Sequence, residues 1–130
     1  MIISLNEARI KTLSKMVHES NKALCEELGD KSQKPWNEAP GYNHMSAMAG
    51  IQAVLDNPEI TPSQIHDVWM IQKQADGWVH GKTKDRDKKT HPSIVPYEQL
   101  SSTEQYKDYL VIYIVKSYLD YLDHNKPKSA

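Results

Sequence analysis

Through the first thirty positions apolar residues recur at three- and four-residue steps, a spacing that predicts a helix with one buried face. Leu5, Ala8, Leu13, Met16, Val17, Leu24 and Leu28 gather on that face. Ser4 and Glu7 have the spacing of a capping box, in which each side chain satisfies an orphan amide of the first turn, so the helix is expected to begin near Leu5. Gly29 offers the left-handed stop. From Gly29 to Gly41, with Pro35 and Pro40 inside, the chain keeps neither helical nor strand period and reads as a loop. Trp36 in that loop is expected to anchor it against the helices, because an indole left in water forfeits ~2 kcal/mol of burial free energy.

A second helix is predicted from an Asn43 cap, with Met45, Met48, Ala49, Gln52 and Leu55 on one face and Asn57-Pro58 as its end. Gly50 in its middle suits a close helix contact. Thr61, Pro62 and Gln64 open a third helix as capping residue, first-turn proline and box partner. Its stripe is Ile65, Val68, Trp69, Gln72 and Ala75, and Gly77 ends it. Trp78-Val79-His80 and Ile94-Val95-Pro96-Tyr97 are short β-prone runs around the polar stretch Gly81 to Pro92, which predicts a small hairpin with a long tip. A fourth helix starts at Ser101 or Ser102, with Glu104 or Gln105 as box partner, and runs past Leu119. Tyr106, Tyr109, Leu110, Tyr113, Ile114, Tyr118, Leu119 and Leu122 make more than one of its faces apolar, so it is either central or an interface. The expected fold is mainly α: about four helices, with a short β-hairpin between helices three and four. From His124 onward the chain has no apolar anchor, which predicts a single domain over 1–125 and a disordered tail at 126–130.

The length of 130 residues fits one domain. A hydrophobic fraction of 38% lies well above disordered composition and can build a core. Sixteen Lys and Arg against seventeen Asp and Glu give a net charge of −1, so no bulk attraction to nucleic acid or to an anionic membrane is expected. The single cysteine, Cys25, allows neither an internal disulfide nor a thiolate zinc cluster and points to a reducing compartment. The longest apolar run, Leu110 to Val115, is far short of the ~20 residues that span a bilayer, and Met1 to Leu5 is too short for a secretory signal. The expectation is a cytoplasmic protein without membrane contact.

From Pro62 to Tyr109 the chain carries His66, Trp69, Lys73, Asp76-Gly77-Trp78, Gly81, Lys84, Lys89-Thr90-His91-Pro92, Val95-Pro96-Tyr97, Leu100 and Lys107-Asp108-Tyr109. In order and spacing these blocks closely resemble the RyR domain, the repeat unit first named from ryanodine receptors and also found as small stand-alone bacterial and phage proteins. The core of the resemblance is 61–110. Upstream, His18-Glu19, Asn21, Leu28-Gly29-Asp30, Trp36, Ala39-Pro40, Ser46-Ala47 and Gly50 resemble the stand-alone type. Ser93 departs from a position where the family often has cysteine, which argues against thiol chemistry there. The resemblance implies a mainly helical module with short strands and, for stand-alone members, nucleotide-derived signals as a ligand class. It carries over neither catalysis nor channel function.

Three features invite chemistry. The loop Lys82 to His91 sets Lys82, Lys84, Arg86, Lys88 and Lys89 against Asp85 and Asp87, a local charge of +3. Such a loop either holds phosphate by charge-assisted hydrogen bonds or is a solvated tip, and it has no aromatic for stacking a single strand. The second is the set Trp36, Trp69, Trp78 and Tyr97 with His66, Lys73, Asp76 and His91. It forms either a structural core or a pocket in which Trp78 and Tyr97 sandwich a flat base while Lys84, Lys89 and His91 contact its phosphates. The third is the tyrosine-rich last helix, either packed within the chain or the face of a homodimer. The six histidines show no metal-ligand spacing, and no P-loop, Rossmann or metalloprotease signature is present. The sequence therefore points to a binding module without cofactor or metal, taking a nucleotide-derived or other phosphorylated ligand. The alternative is an interaction or homo-oligomerisation module.

Overall fold

The computed structural model describes residues 5–125, so Ser4 and the expected tail at 126–130 lie outside the described residues. Four helices carry the fold: α1 (Glu7–Glu27), α2 (Gly41–Asp56), α3 (Pro62–Ala75) and α4 (Ser102–His124). Asn6 caps α1, its side-chain oxygen accepting from the Arg9 amide at 2.9 Å. The helix ends as expected at Gly29, where φ is +92°. The amides of Gly29 and Asp30 return to the carbonyls of Glu26 and Cys25, satisfying two orphan acceptors. Thr61 and Gln64 close a reciprocal capping box at the start of α3, and Ser101 caps α4 through the Glu104 amide. α2 begins earlier than the expected Asn43 cap: Pro40 occupies the N-cap, without a side-chain bond.

All four helices contribute to one core. Leu13, Ile51, Val54, Leu55 and Val115 have no exposed surface, and Val17, Ile65, Val111 and Ile112 close around them. The buried face of α2 differs from the expected one. Met45 and Met48 are 62% and 46% exposed, while Ala47, Ile51, Val54 and Leu55 point inward. Two apolar faces share this helix, so periodicity alone selects neither, and contact with α1, α3 and α4 decides. Met16 and Leu28 of α1 likewise stay largely exposed. Gly50 serves the close approach expected of it, since a Cβ there would stand 3.4 Å from Cγ2 of Val111 on α4.

Between α3 and α4 the two strands pair in parallel, which corrects the expected hairpin. β1 (Val79–His80) aligns with β2 (Thr90–His91), not with Ile94–Tyr97. The reason lies in the intervening loop. Asp85 accepts the amides of Asp87 and Lys88 and pairs antiparallel with Thr90, so the chain, having already reversed between β1 and Asp85, reverses again before it reaches β2. The second reversal leaves β2 running in the direction of β1. Gly81 is required at the crossing, because a Cβ there would lie 2.5 Å from that of Thr90. No helix among the described residues is long and apolar enough to cross a membrane.

Candidate ligand-binding site

Beside the dry core, inward-facing positions of the same helices carry polar groups, and a cavity of about 350 Å³ opens between them. This volume is near the lower end of the ~300–1,000 Å³ typical of small-molecule sites. α1 contributes Asn21 and Cys25, α2 Tyr42 and Ser46, α3 His66, Trp69 and Lys73, and α4 Glu104, Lys107 and Asp108. Trp78, Lys84 and His91 enter from the strand region.

The positions on α3 are set by helical spacing: His66, Trp69 and Lys73 stand at i, i+3 and i+7 and so share one face. Lys73 is buried, with its Nζ 4.6 Å from the centre of the Tyr42 ring and 5.0 Å from that of Trp78. Among the described residues no carboxylate lies within ion-pair distance of it. Burial lowers its pKa below the usual 10.5, the Lys84 charge adds to this, and Asp76 opposes both. The two ring faces supply cation–π attraction but no counter-charge, so this ammonium has the surroundings of an anion-binding group.

His66 is fixed by the carbonyl of Val95, 2.7 Å from Nε2. That bond requires Nε2 to carry the proton in the neutral ring and leaves Nδ1 as an acceptor. Nδ1 faces Asp108 Oδ2 at 3.9 Å, too far for a hydrogen bond. Burial raises the Asp108 pKa to about 7, the Glu104 charge pushes in the same direction and Lys107 opposes. Lys107 is held by Glu104 at 2.9 Å. Burial disfavours its charge, but the bond and charge of Glu104 and the neighbouring Cys25 outweigh this and raise its pKa. Among the described residues three buried side-chain atoms have no hydrogen-bond partner on the protein: Asn21 Oδ1, Trp78 Nε1 and Asp108 Oδ2. All three belong to residues lining this cavity.

His91 accepts the Ser93 amide at Nδ1, 3.0 Å away, so its proton sits on Nε2. Burial, then the charges of Lys84, Lys73, Lys107 and His66, depress its pKa to about 4. It is therefore a neutral donor at neutral pH, not a cation. Across the cavity Asp30 is held low chiefly by hydrogen bonds from Ser32, with smaller help from Lys84 and Lys107.

Of the eight residues singled out from sequence, His66, Trp69, Lys73, Trp78, Lys84 and His91 line the cavity together, whereas Lys89 and Tyr97 do not. Lys89 instead donates to the Asp76 carbonyl at 2.7 Å and lies 3.7 Å from its carboxylate, bracing the end of α3. Tyr97 begins a 3₁₀ turn and neighbours His66, with 6.2 Å between ring centres. The ring neighbours of Trp78 are Tyr42 and His91, tilted by 55° and 61°, in place of a stacked Tyr97. Trp36 is the expected anchor: it is buried, stacks on His44 at 3.7 Å, and meets the edge of His18. Asn21, Cys25, Tyr42, Glu104, Lys107 and Asp108 escaped the sequence reading as site residues. Their signal was present for Asn21, a polar residue four positions after Val17 and four before Cys25 on the inner face of α1. Asp108 stands three and four positions before the buried Val111 and Ile112 on α4. Among the described residues no three His, Cys, Asp or Glu side chains gather as a metal-binding group.

The family model for the RyR domain matches residues 52–120, just over half of the chain. That span holds α3, the strand pair, most of α4 and the cavity residues from Ile65 to Val111. The remaining walls, α1 and the first part of α2, lie before it. The chain belongs to the RyR domain family.

Proposed function

We propose that this RyR domain is a binding module whose cavity takes a phosphorylated small ligand, a nucleotide-derived one included. The observation that carries this reading is Lys73, a buried ammonium over two aromatic faces with, among the described residues, no carboxylate within ion-pair distance. Lys84 adds a second cation at the rim, and His91 adds a neutral Nε2–H donor. A charge-assisted bond to a phosphate oxygen provides Lys73 with the counter-charge that its surroundings lack. Lys89, already engaged by Asp76, is left out of the phosphate contact, and Tyr97 is left out of the stacking.

The test is a thermal-shift panel of nucleotides, cyclic nucleotides and ADP-ribose derivatives, applied to the protein and to Lys73→Met, Lys84→Ala and Lys89→Ala. A saturable stabilisation by a phosphorylated compound is expected, lost in Lys73→Met, weakened in Lys84→Ala and kept in Lys89→Ala. Stabilisation that survives Lys73→Met would overturn the assignment.

A second reading rests on α4, where Tyr106, Tyr109 and Tyr113 are 50%, 42% and 60% exposed and Tyr109 stacks on Tyr113. Exposed tyrosines of this density suit a self-association face. A mass by light scattering that stays monomeric at every concentration would remove this reading.

A further inference from the structure

We infer that the non-phosphate end of the ligand is a polyhydroxylated carbon skeleton, so that the cavity selects a sugar phosphate or the ribosyl phosphate portion of a larger molecule. This rests on the phosphate reading above and adds to it what the rest of the cavity recognises. The inference comes from the three unpartnered atoms. Asn21 Oδ1 is an acceptor, Trp78 Nε1 is a donor, and Asp108 Oδ2 accepts when ionised and can donate when protonated. Each is buried, and a buried polar atom left unpaired keeps its full desolvation penalty, so a ligand that serves all three gains on each. Asn21 calls for a donor on the ligand, the indole N–H calls for an acceptor, and Asp108 takes either according to its protonation. A hydroxyl serves each of these, and several hydroxyls on a small skeleton meet all three demands without regard to which face is presented.

Ring geometry points the same way. A base sandwiched between rings needs two open parallel faces, but one face of Tyr42 and one of Trp78 are taken by Lys73, and the two rings are tilted by 55° to each other. Trp69 meets His91 edge-on at 76°, and its near-parallel neighbour is the fixed His66 ring, 5.5 Å away. A puckered skeleton with C–H groups and hydroxyls packs against such tilted rings more readily than a plane does. The cavity of about 350 Å³ also matches a compact ligand. Asn21 and Asp108 reach it from α1 and α4, Lys73 from α3 and Trp78 from the residue before β1, so the unpartnered atoms and the ammonium come from different elements.

Calorimetric titration compares ribose 5-phosphate with inorganic phosphate on the full chain and on Asn21→Ala, Asp108→Ala and Lys73→Met. The expected result is at least tenfold tighter binding of ribose 5-phosphate. That preference falls several-fold in Asn21→Ala or Asp108→Ala while phosphate affinity holds, and Lys73→Met loses both ligands. Alanine suits both helical positions, and a retained melting transition verifies the fold. Equal affinity for the two probes, or a preference unchanged in both the Asn21 and Asp108 variants, overturns the inference while leaving the phosphate reading intact. Absence of binding by both probes overturns the two together.

Discussion

The same four helices build two interiors of opposite character. On one side Leu13, Ile51, Val54, Leu55 and Val115 are fully enclosed and wholly apolar. A short distance along those helices, the buried His66 and Lys73 and the half-buried Asn21 and Asp108 line a cavity. The apolar side needs only volume and pattern, so any residue of the right size satisfies it. The polar side is held in place by bonds from outside the cavity, such as Val95 to His66, and among the described residues still leaves three side-chain atoms without hydrogen-bond partners and the Lys73 ammonium without an ion pair. Stability comes from the first interior, and the second is the one we propose for recognition. The two should therefore respond oppositely to substitution.

The largest effect is expected in the apolar interior. Ile51→Ala should lower stability to urea by ~2–5 kcal/mol, the usual range for a large-to-alanine core change. Lys73→Met should leave stability equal or higher while removing ligand, because it relieves a buried charge. A loss for Lys73→Met as large as that for Ile51→Ala would erase the distinction between the two interiors.

Next in size is a pair of opposing pH effects. Asp108, with a pKa of about 7 when folded and an ordinary value near 3.8, binds its proton more tightly in the folded chain. Its contribution is present at acid pH and lost as pH rises from about 4 through 7. His91, depressed to about 4 from 6.5, behaves in reverse: its contribution is present above 6.5 and lost as pH falls toward 4. The two windows overlap, so the melting temperature of the native chain should change little between them. Asp108→Asn should expose a profile that falls toward acid, and His91→Gln one that falls toward alkaline pH. Each slope integrates to a few kcal/mol, since one unit of displaced pKa is ~1.4 kcal/mol. Parallel profiles for the two variants would show that these groups do not oppose each other.

The smallest effect belongs to a local signal that has nothing to do with either interior. Thr61→Ala removes the hydroxyl half of the capping box and should cost ~1 kcal/mol of stability, with ligand response unchanged.

Local signals of this kind were the most legible part of the chain. The capping box at Thr61, the stop at Gly29, the Ser101 start and the close contact at Gly50 all depend on one turn or one missing side chain. The burial phase of α2 was hidden because Met45 and Met48 compete with Ala47 and Ile51 in any apolar count, and only packing against three other helices separates them. The parallel pairing was hidden because the turn that reverses the chain is made by the Asp85 side chain inside a stretch that reads as a polar tip. Six of the eight expected site residues meet in the cavity because the family motif gathers them on α3 and around β1 and β2. Asn21 and Asp108 are lost as cavity residues to any scan of α1 and α4 for apolar positions alone. A polar residue in an otherwise apolar stripe is the signal that such a scan discards.

The central claim is that Lys73 is the anion-binding group of the cavity. The direct measurement is an NMR titration with inorganic phosphate on the protein labelled at lysine Cε, following the Lys73 signal and its pKa beside those of exposed lysines such as Lys82 and Lys88. A saturable shift confined to the cavity lysines, with the lowered Lys73 pKa moving up toward 10.5 as phosphate fills the site, is the predicted result. A Lys73 signal that stays still, or moves no more than those of Lys82 and Lys88, would contradict it.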